Sequence, residues 1–290
     1  MCKPGRWSAQ LARGRHCMND TRPRNSDFVQ SLERGLSVIR AFDAEHRELG
    51  LSDVARATGL TRAAARRFLL TLVSLDYMSV SEGRFSLRPR VLELGYAYLS
   101  SLSLPEIAQP HMEVLVDKVN ESSSISVLDD IDIVYVARVP TRRIMSITLS
   151  VGTRLPAYAT SMGRVLLADL TQDDLEERLG RIEVRPLSSR TVRDKPMLRK
   201  RLDTVRKQGY ATVDQELEEG LRSLAVPICN ASGSVLAALN VSVHASRTSM
   251  AELRREFLPS ALEAAAAIEA DLHRSGRPSG TRLSTPDSST

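Results

Sequence analysis

LSDVARATGLTRAAARRFLLTLVSLDYM, Leu51 to Met78, is the stretch on which the fold of the N-terminal third turns. Apolar or small residues fall at Leu51, Val54, Ala55 and Leu60, then at Ala65, Phe68, Leu69, Leu72 and Val73. Each set keeps the i, i+3, i+4 rhythm of a helix with one buried stripe. Between them Gly59 permits a sharp left-handed turn, and Thr61 can cap the second helix with its hydroxyl. Two helices so close in sequence must cross steeply, and the small side chain of Ala55 lets them approach. This is the helix-turn-helix pattern. With Ala65, Phe68, Leu69 and Leu72 buried, the opposite side of the second helix carries Ala63, Arg67 and Ser74. Arg66 flanks that face and Arg62 lies in the first turn.

The neighbouring sequence extends the module. A first helix is expected from Ser31 to Phe42, burying Leu32, Leu36, Ile39 and Ala41. After Leu75, two short alternating runs flank Glu82-Gly83, the signal of a tight β-hairpin. A hairpin directly after a recognition helix is a wing. Pro89 restarts the chain as a linker helix, Arg90 to Ser101, with Val91, Leu94 and Tyr98 on one face. Leu104-Pro105 then marks a domain boundary. From Arg56 to Arg90 there are seven arginines against two acids, Asp76 and Glu82, a local excess on the module most suited to DNA.

The remaining composition narrows the class. A chain of 290 residues with 42% hydrophobic side chains has the length for two domains and two cores. No run approaches the roughly 18 apolar residues of a membrane span. Basic residues at the N-terminus are followed by no apolar segment, so no secretory signal is expected. Cys2, Cys17 and Cys229 fit neither a disulfide framework nor a zinc site, which points to a reducing cytoplasm. The five histidines stand in no ligand-like spacing, and no metal site is expected. The net charge of +5 permits nucleic-acid binding without arguing for it. Residues 1–27 lack periodicity and read as a disordered basic arm or a mis-assigned start.

Beyond the boundary, helices and strands alternate. A helix near Glu106–Asn120 precedes strands at Ser124–Leu128, Ile133–Arg138 and near Met145–Ser150, the first two joined at Asp129-Asp130. Helices follow over Thr160–Ala168, Asp173–Leu179 and Met197–Gln208. Two further strands, Ser223–Cys229 and Val235–Val243, bracket a turn at Asn230, and an Ala-rich helix, Ser249–His273, closes the domain. Hairpin-linked strands with helices before and after predict an α+β domain with a mostly antiparallel sheet. The implied division is 1–27 arm, 28–89 DNA-binding domain, 90–103 linker helix, 104–274 effector domain and 275–290 disordered tail.

No catalytic or cofactor signature is present: no phosphate loop, no Gly-x-Ser-x-Gly elbow, no His-Glu-x-x-His. The carboxylates of QELEEG, Gln215 to Gly220, read as a solvated face or turn rather than a catalytic pair. The informative stretch is VGTRLPAYATSMGRVLLADL, Val151 to Leu170. Gly152 and Pro156 fix a loop, and Thr160-Ser161 suit the start of a helix whose free amides favour a carboxylate, although an ordinary capped helix has the same sequence. On the strand Ala237–Val243, Asn240 and Ser242 share one face. On an inner face they need partners, which a ligand can supply.

Two motifs, in this order, resemble the IclR family of bacterial transcriptional regulators: SLERGLSVIRAF with LSDVARATGLTRAAARRFLLTL, then GTRLPAYATSMGRVLLA. The similarity runs from Phe28 to Ala270. Within the family, VDQELEEGLRSLAVPI and ALNVSVHASR look like the branch regulating protocatechuate, 4-hydroxybenzoate or catechol breakdown through the β-ketoadipate pathway. The resemblance implies a winged helix-turn-helix that dimerises, a GAF-like effector domain often paired into tetramers, and no catalysis. It places a ligand at Ile144, Ser161, Met162, Leu221, Ser223, Asn240 and Ser242. Regulators of two- and three-carbon keto acids have Gly-Ala in place of Ser161-Met162 and Ser in place of Asn240, so the pocket here has another shape. The expected protein is a ligand-responsive transcription factor of aromatic-acid catabolism, without cofactor. Its partners are double-stranded operator DNA, a small aromatic or dicarboxylic acid and a second copy of itself. Thr61, Arg62, Ala63, Arg66 and Arg67 are the expected groove residues, and Arg84 on the wing the phosphate contact. The alternatives are a regulator of another carboxylate pathway, an enzyme with a DNA-binding appendage, and a helix-turn-helix used only for protein contact. The missing catalytic constellation opposes the second of these, and the wing and arginine excess the third.

Overall fold

A computed structural model describes residues 28–43, 45–94, 104–141 and 149–274. The chain divides into two compact units between residues 98 and 99. No described helix is long and apolar enough to cross a membrane.

The first unit runs α1 (Gln30–Arg40), β1 (Glu48–Gly50), α2 (Leu51–Thr58), α3 (Arg62–Ser74), β2 (Met78–Ser81) and β3 (Arg84–Leu87). Gly59 ends α2 in the left-handed region at φ 68°, and the Thr61 hydroxyl accepts from the Ala64 amide to start α3. The Glu82-Gly83 turn joins β2 to β3, and β1 adds to the far side of β3 in the antiparallel order β1-β3-β2. The core beneath is Val38, Ala41, Phe42, Val54, Ala55, Ala65, Leu69, Met78 and Phe85. One expectation fails here. Leu32 and Leu36 of α1 are 62% and 47% exposed, and Val38 takes the buried position instead. The helix carries two apolar stripes, and the core uses the one that continues into Ala41 and Phe42. After Pro89 the chain makes a 3₁₀ turn, Pro89–Leu92. Glu93 and Leu94 continue it as helix, and the rest of the expected linker helix, with Tyr98, lies outside the described residues, as do the arm and the tail.

The second unit follows the expected sequence of elements except at two strands, Arg154–Pro156 and Ala211–Asp214. Its elements are α4 (Leu104–Val119), β4 (Ser122–Asp129), β5 (Asp132–Val139), β6 (Arg154–Pro156), α5 (Ser161–Ala168), α6 (Gln172–Arg181), α7 (Lys195–Gln208), β7 (Ala211–Asp214), β8 (Leu221–Cys229) and β9 (Val235–His244). A capped turn, α8 (Met250–Glu252), leads through a π segment, Leu253–Phe257, into α9 (Leu258–Arg274). Pro259 has no N–H for the carbonyl four residues back, which accounts for the break in α-helical bonding. The six strands form one antiparallel sheet in the order β6-β5-β4-β9-β8-β7. β7 has no counterpart among the expected strands. The strand expected near Met145–Ser150 falls mostly outside the described residues, and the strand paired with β5 is β6.

Alternation sorts the sheet residues onto two faces. Ile125, Ala137, Leu224, Val226, Leu239, Val241 and Val243 pack with α4 and α9. Tyr135, Ala225 and Ala238 belong to the second core, with α5, α6 and α7. The first face is apolar apart from Ser123, whose hydroxyl donates to the Asn240 carbonyl at 2.8 Å. The second carries several polar residues.

Candidate functional site

In α3 the side chains of Ala65 and Leu69 are buried, while Thr61, Arg62, Ala63, Arg66 and Arg67 are exposed. The arginines of this unit differ in what they touch. Arg56 pairs with Asp53 at 3.4 Å, Arg88 with Asp76 at 2.6 Å, and Arg90 with Glu93 at 3.3 Å while lying over the Tyr77 ring. Arg84 donates to the Glu48 carbonyl at 2.9 Å across the β1–β3 pair, so a phosphate must share or displace that contact. Arg62, Arg66 and Arg67 make no side-chain hydrogen bond or ion pair among the described residues. Three uncommitted cations thus present positive charge on one exposed helix face.

The second face of the large sheet is covered by α5, all eight residues of which are buried. The Thr160 hydroxyl accepts from the Gly163 amide at 3.0 Å. Gly163 itself lies against the preceding 3₁₀ turn: a Cβ there would stand 2.2 Å from the Ala157 carbonyl oxygen. This close approach seats Ser161 and Met162, each 1% exposed, against the sheet. The Met162 sulfur accepts from the Ser126 hydroxyl at 3.2 Å.

Arg164 extends in the other direction. Its guanidinium grips Glu216 at 2.8 and 2.6 Å and donates to the Tyr158 carbonyl at 3.0 Å, while the Val192 amide also donates to Glu216. The first carboxylate of the QELEEG run is therefore the buried half of an ion pair, contrary to the solvated face read from sequence. Nothing local distinguishes it, because its partner is 52 residues away.

The strand register places the remaining polar residues. Arg138, Ser124 and Asn240 lie opposite one another across β5, β4 and β9. The adjacent row is Ser122, Ser242 and Ser223 across β4, β9 and β8. Leu221, two residues before Ser223, shares its face at the start of β8. Six of the seven expected ligand residues thus lie on α5 or the sheet face beneath it, and Ile144 lies outside the described residues.

Their hydrogen bonding differs from expectation. Asn240 already has protein partners: its carbonyl oxygen accepts from the Ser124 amide and its NH₂ donates to the Ser242 hydroxyl, both at 3.0 Å. Ser122, Ser124, Ser161 and Ser223 are buried residues, and their hydroxyls bond nothing among the described residues. Tyr135 is 4% exposed with an unbonded hydroxyl, and burial pushes its pKa up to about 12. Arg138, half-buried and without hydrogen bond or ion pair, has its pKa lowered by burial and drawn back by Tyr135. Sequence reasoning passed over Arg138 and Tyr135. The available signal was an arginine interrupting the apolar run VYVARV.

An exposed cationic helix on a winged module, with a separate α+β unit enclosing a polar layer, defines a ligand-responsive DNA-binding regulator. Residues 31–79 match the IclR helix-turn-helix domain, and residues 96–270 match the IclR C-terminal domain of bacterial transcriptional regulators. The chain belongs to the IclR family and is a transcriptional regulator, not an enzyme. It is 50% identical over 240 residues to the Pca regulon regulatory protein of Pseudomonas putida, covering 82% of each chain. A transcriptional regulator from Rhodococcus sp. RHA1 is 56% identical with a TM-score of 0.77, over 86% of this chain and 100% of that one. An IclR homolog from Microbacterium hydrocarbonoxydans, complexed with 4-hydroxybenzoate, is 27% identical with a TM-score of 0.75, over 84% of this chain and 99% of that one.

Proposed function

We propose that this chain controls genes of aromatic-acid catabolism in the cytoplasm, binding operator DNA through α3 and a small aromatic acid between α5 and the sheet. The observation that carries the ligand site is the set of unbonded hydroxyls on the buried residues Ser122, Ser124, Ser161 and Ser223, gathered on α5 and one face of the sheet. Hydroxyls left free of protein partners in so enclosed a setting are available to a bound polar molecule. Ser161, Ser223 and Ser242 supply hydroxyls, Asn240 holds Ser242 in place, and Met162 and Leu221 cover the ring. Support for an aromatic acid comes from the Microbacterium homolog and from similarity to the Pca regulon regulator.

On the DNA side, Arg62, Arg66 and Arg67 reach base edges, with Thr61 and Ala63 in the same first turn of the recognition helix. Arg84 leaves Glu48 to hold a phosphate. A single winged module gives few base contacts, and the exposed Leu32 and Leu36 of α1 supply an apolar face for pairing two modules on a two-fold operator. The acid acts by favouring one arrangement of the paired chains, since equal affinity for two arrangements would shift nothing. The test is fluorescence anisotropy of the full chain on operator DNA, with and without 4-hydroxybenzoate or protocatechuate. An approximately 5- to 150-fold change in affinity is expected. Operator binding indifferent to every aromatic acid, with thermal stability equally unmoved, sinks this reading.

A further inference from the structure

We infer that Arg138, assisted by the Tyr135 hydroxyl, is the residue that binds the effector's carboxylate. The inference rests on the effector site proposed above and replaces the start of α5 as the principal carboxylate anchor.

Three observations converge on it. First, position: Arg138 occupies the same row of the sheet as Ser124 and Asn240, on the face that α5 covers. A β-bulge between Ile125 and Ser126 absorbs one extra residue of β5. Ser126 therefore pairs with Tyr135, while Ser124 pairs with Arg138. The bulge brings a phenol and a guanidinium three residues apart onto one face, which strict alternation would forbid.

Second, Arg138 lacks an acceptor, as Arg193, Arg201 and Arg254 do, but those three are exposed and Arg138 is half-buried. Arg164 has Glu216, Arg222 has Asp214 at 2.6 Å, Arg247 has Glu121 at 3.1 Å, and Arg154 has Asp129. Arg138 has no hydrogen bond or ion pair among the described residues, although it is half-buried. A guanidinium cannot shed its proton to relieve this. An incoming carboxylate can, through two parallel N–H···O bonds. The same argument covers Tyr135, a buried residue whose unbonded hydroxyl stays protonated and able to donate at any physiological pH.

Third, the start of α5 is already partly used. Thr160 accepts the Gly163 amide, and the Arg164 amide bonds the Thr160 carbonyl. The amides of Ser161 and Met162 remain for a secondary contact. The effector class that follows is an acid oriented with its carboxylate toward β5 and its far end toward Ser223 and Leu221.

The test uses the full-length protein and three variants: Arg138→Met, Arg138→Lys and Tyr135→Phe. Each is titrated calorimetrically with 4-hydroxybenzoate, protocatechuate, adipate and the neutral 4-hydroxybenzamide. Arg138→Met is expected to lose about 10- to 150-fold in affinity for whichever acid binds the wild type, the range of a charged hydrogen bond. Its affinity for 4-hydroxybenzamide should change less than about 3-fold, well inside that range. Arg138→Lys should recover part of the loss, because the charge remains and the fork does not. Without ligand, Arg138→Met should melt higher than wild type, since it removes a half-buried cation with no acceptor. Full acid affinity in Arg138→Met, or equal loss for acid and amide, overturns the assignment and leaves the aromatic-acid reading standing. Binding of adipate alone, lost in Arg138→Met, does the reverse. No acid binding to wild type overturns both.

Discussion

Helices α3 and α5 start in the same way and end in opposite surroundings. Each follows an extended threonine, Thr61 or Thr160, whose hydroxyl accepts the amide three residues on, at 3.2 and 3.0 Å. Each then carries arginine within its first turns. In α3 the arginines stand exposed and uncommitted. In α5 every residue is buried, and Arg164 is locked by a bidentate carboxylate and a carbonyl. A cap is a local property, written within four residues. Whether the capped helix shows its charges or hides them depends on what the rest of the chain brings to it.

The largest expected effect separates the two helices by stability. Arg164→Ala strands the buried Glu216 carboxylate and should lower unfolding free energy by about 3–5 kcal/mol in urea denaturation. The double variant Arg164→Met, Glu216→Leu should regain most of that loss. In contrast, Arg62→Ala, Arg66→Ala and Arg67→Ala should leave the urea midpoint unchanged. If Arg164→Ala is as mild as these, the contrast between the helices is false.

Next comes the same comparison read on DNA. Each recognition-helix arginine that grips a base should cost about 1–3 kcal/mol of discrimination when truncated, seen as relaxed operator choice in competition binding. Arg84→Ala should weaken all sequences alike and flatten the salt dependence. Unchanged operator affinity in the triple variant Arg62, Arg66 and Arg67→Ala removes α3 from the groove.

The caps give a smaller, sharper measure. Thr61→Ala frees an exposed amide that water can satisfy, so about 0.5–1 kcal/mol is expected. Thr160→Ala leaves the buried Gly163 amide unbonded and should cost about 1–3 kcal/mol. Equal losses would mean that burial does not set the worth of a cap here.

The smallest effect is a pH dependence beside the Arg164–Glu216 pair. Glu218 Oε2 is buried with no partner, and burial raises this carboxyl above its usual 4.5. The folded state therefore holds the proton more tightly than the unfolded one. Stability is fully present below about pH 4.5 and declines as pH rises through the raised value. Glu218→Gln should gain melting temperature over wild type at pH 8 and show no gain at pH 4. A difference independent of pH removes the carboxylate as its cause.

Much of this architecture was legible because it is written locally. The Gly59 turn, the Thr61 and Thr160 caps, the Glu82-Gly83 wing and the alternation of Asn240 and Ser242 each fit inside a few residues. What escaped was long-range. Leu32 and Leu36 form as good a stripe as Val38, Ala41 and Phe42, and periodicity cannot say which stripe meets the chain's own core. Ala211–Asp214 is four residues long and gains its strand identity only by pairing with β8. Glu216 looks like any acid in an acidic turn until Arg164 arrives. Arg138 reads as a strand residue like its neighbours, and only the bulge at Ile125/Ser126 turns it to the same face as Tyr135.

The unbonded serines also bear on how such a regulator changes its ligand over generations. Ser122, Ser124, Ser161 and Ser223 each differ from alanine by one oxygen whose loss strands no protein group. Asn240 is different, because its amide ties β9 to the Ser124 backbone of β4. Lineages can therefore redraw hydroxyl patterns around the effector one atom at a time while the scaffold stays intact. A new specificity that requires replacing Asn240 must first find another way to hold two strands together.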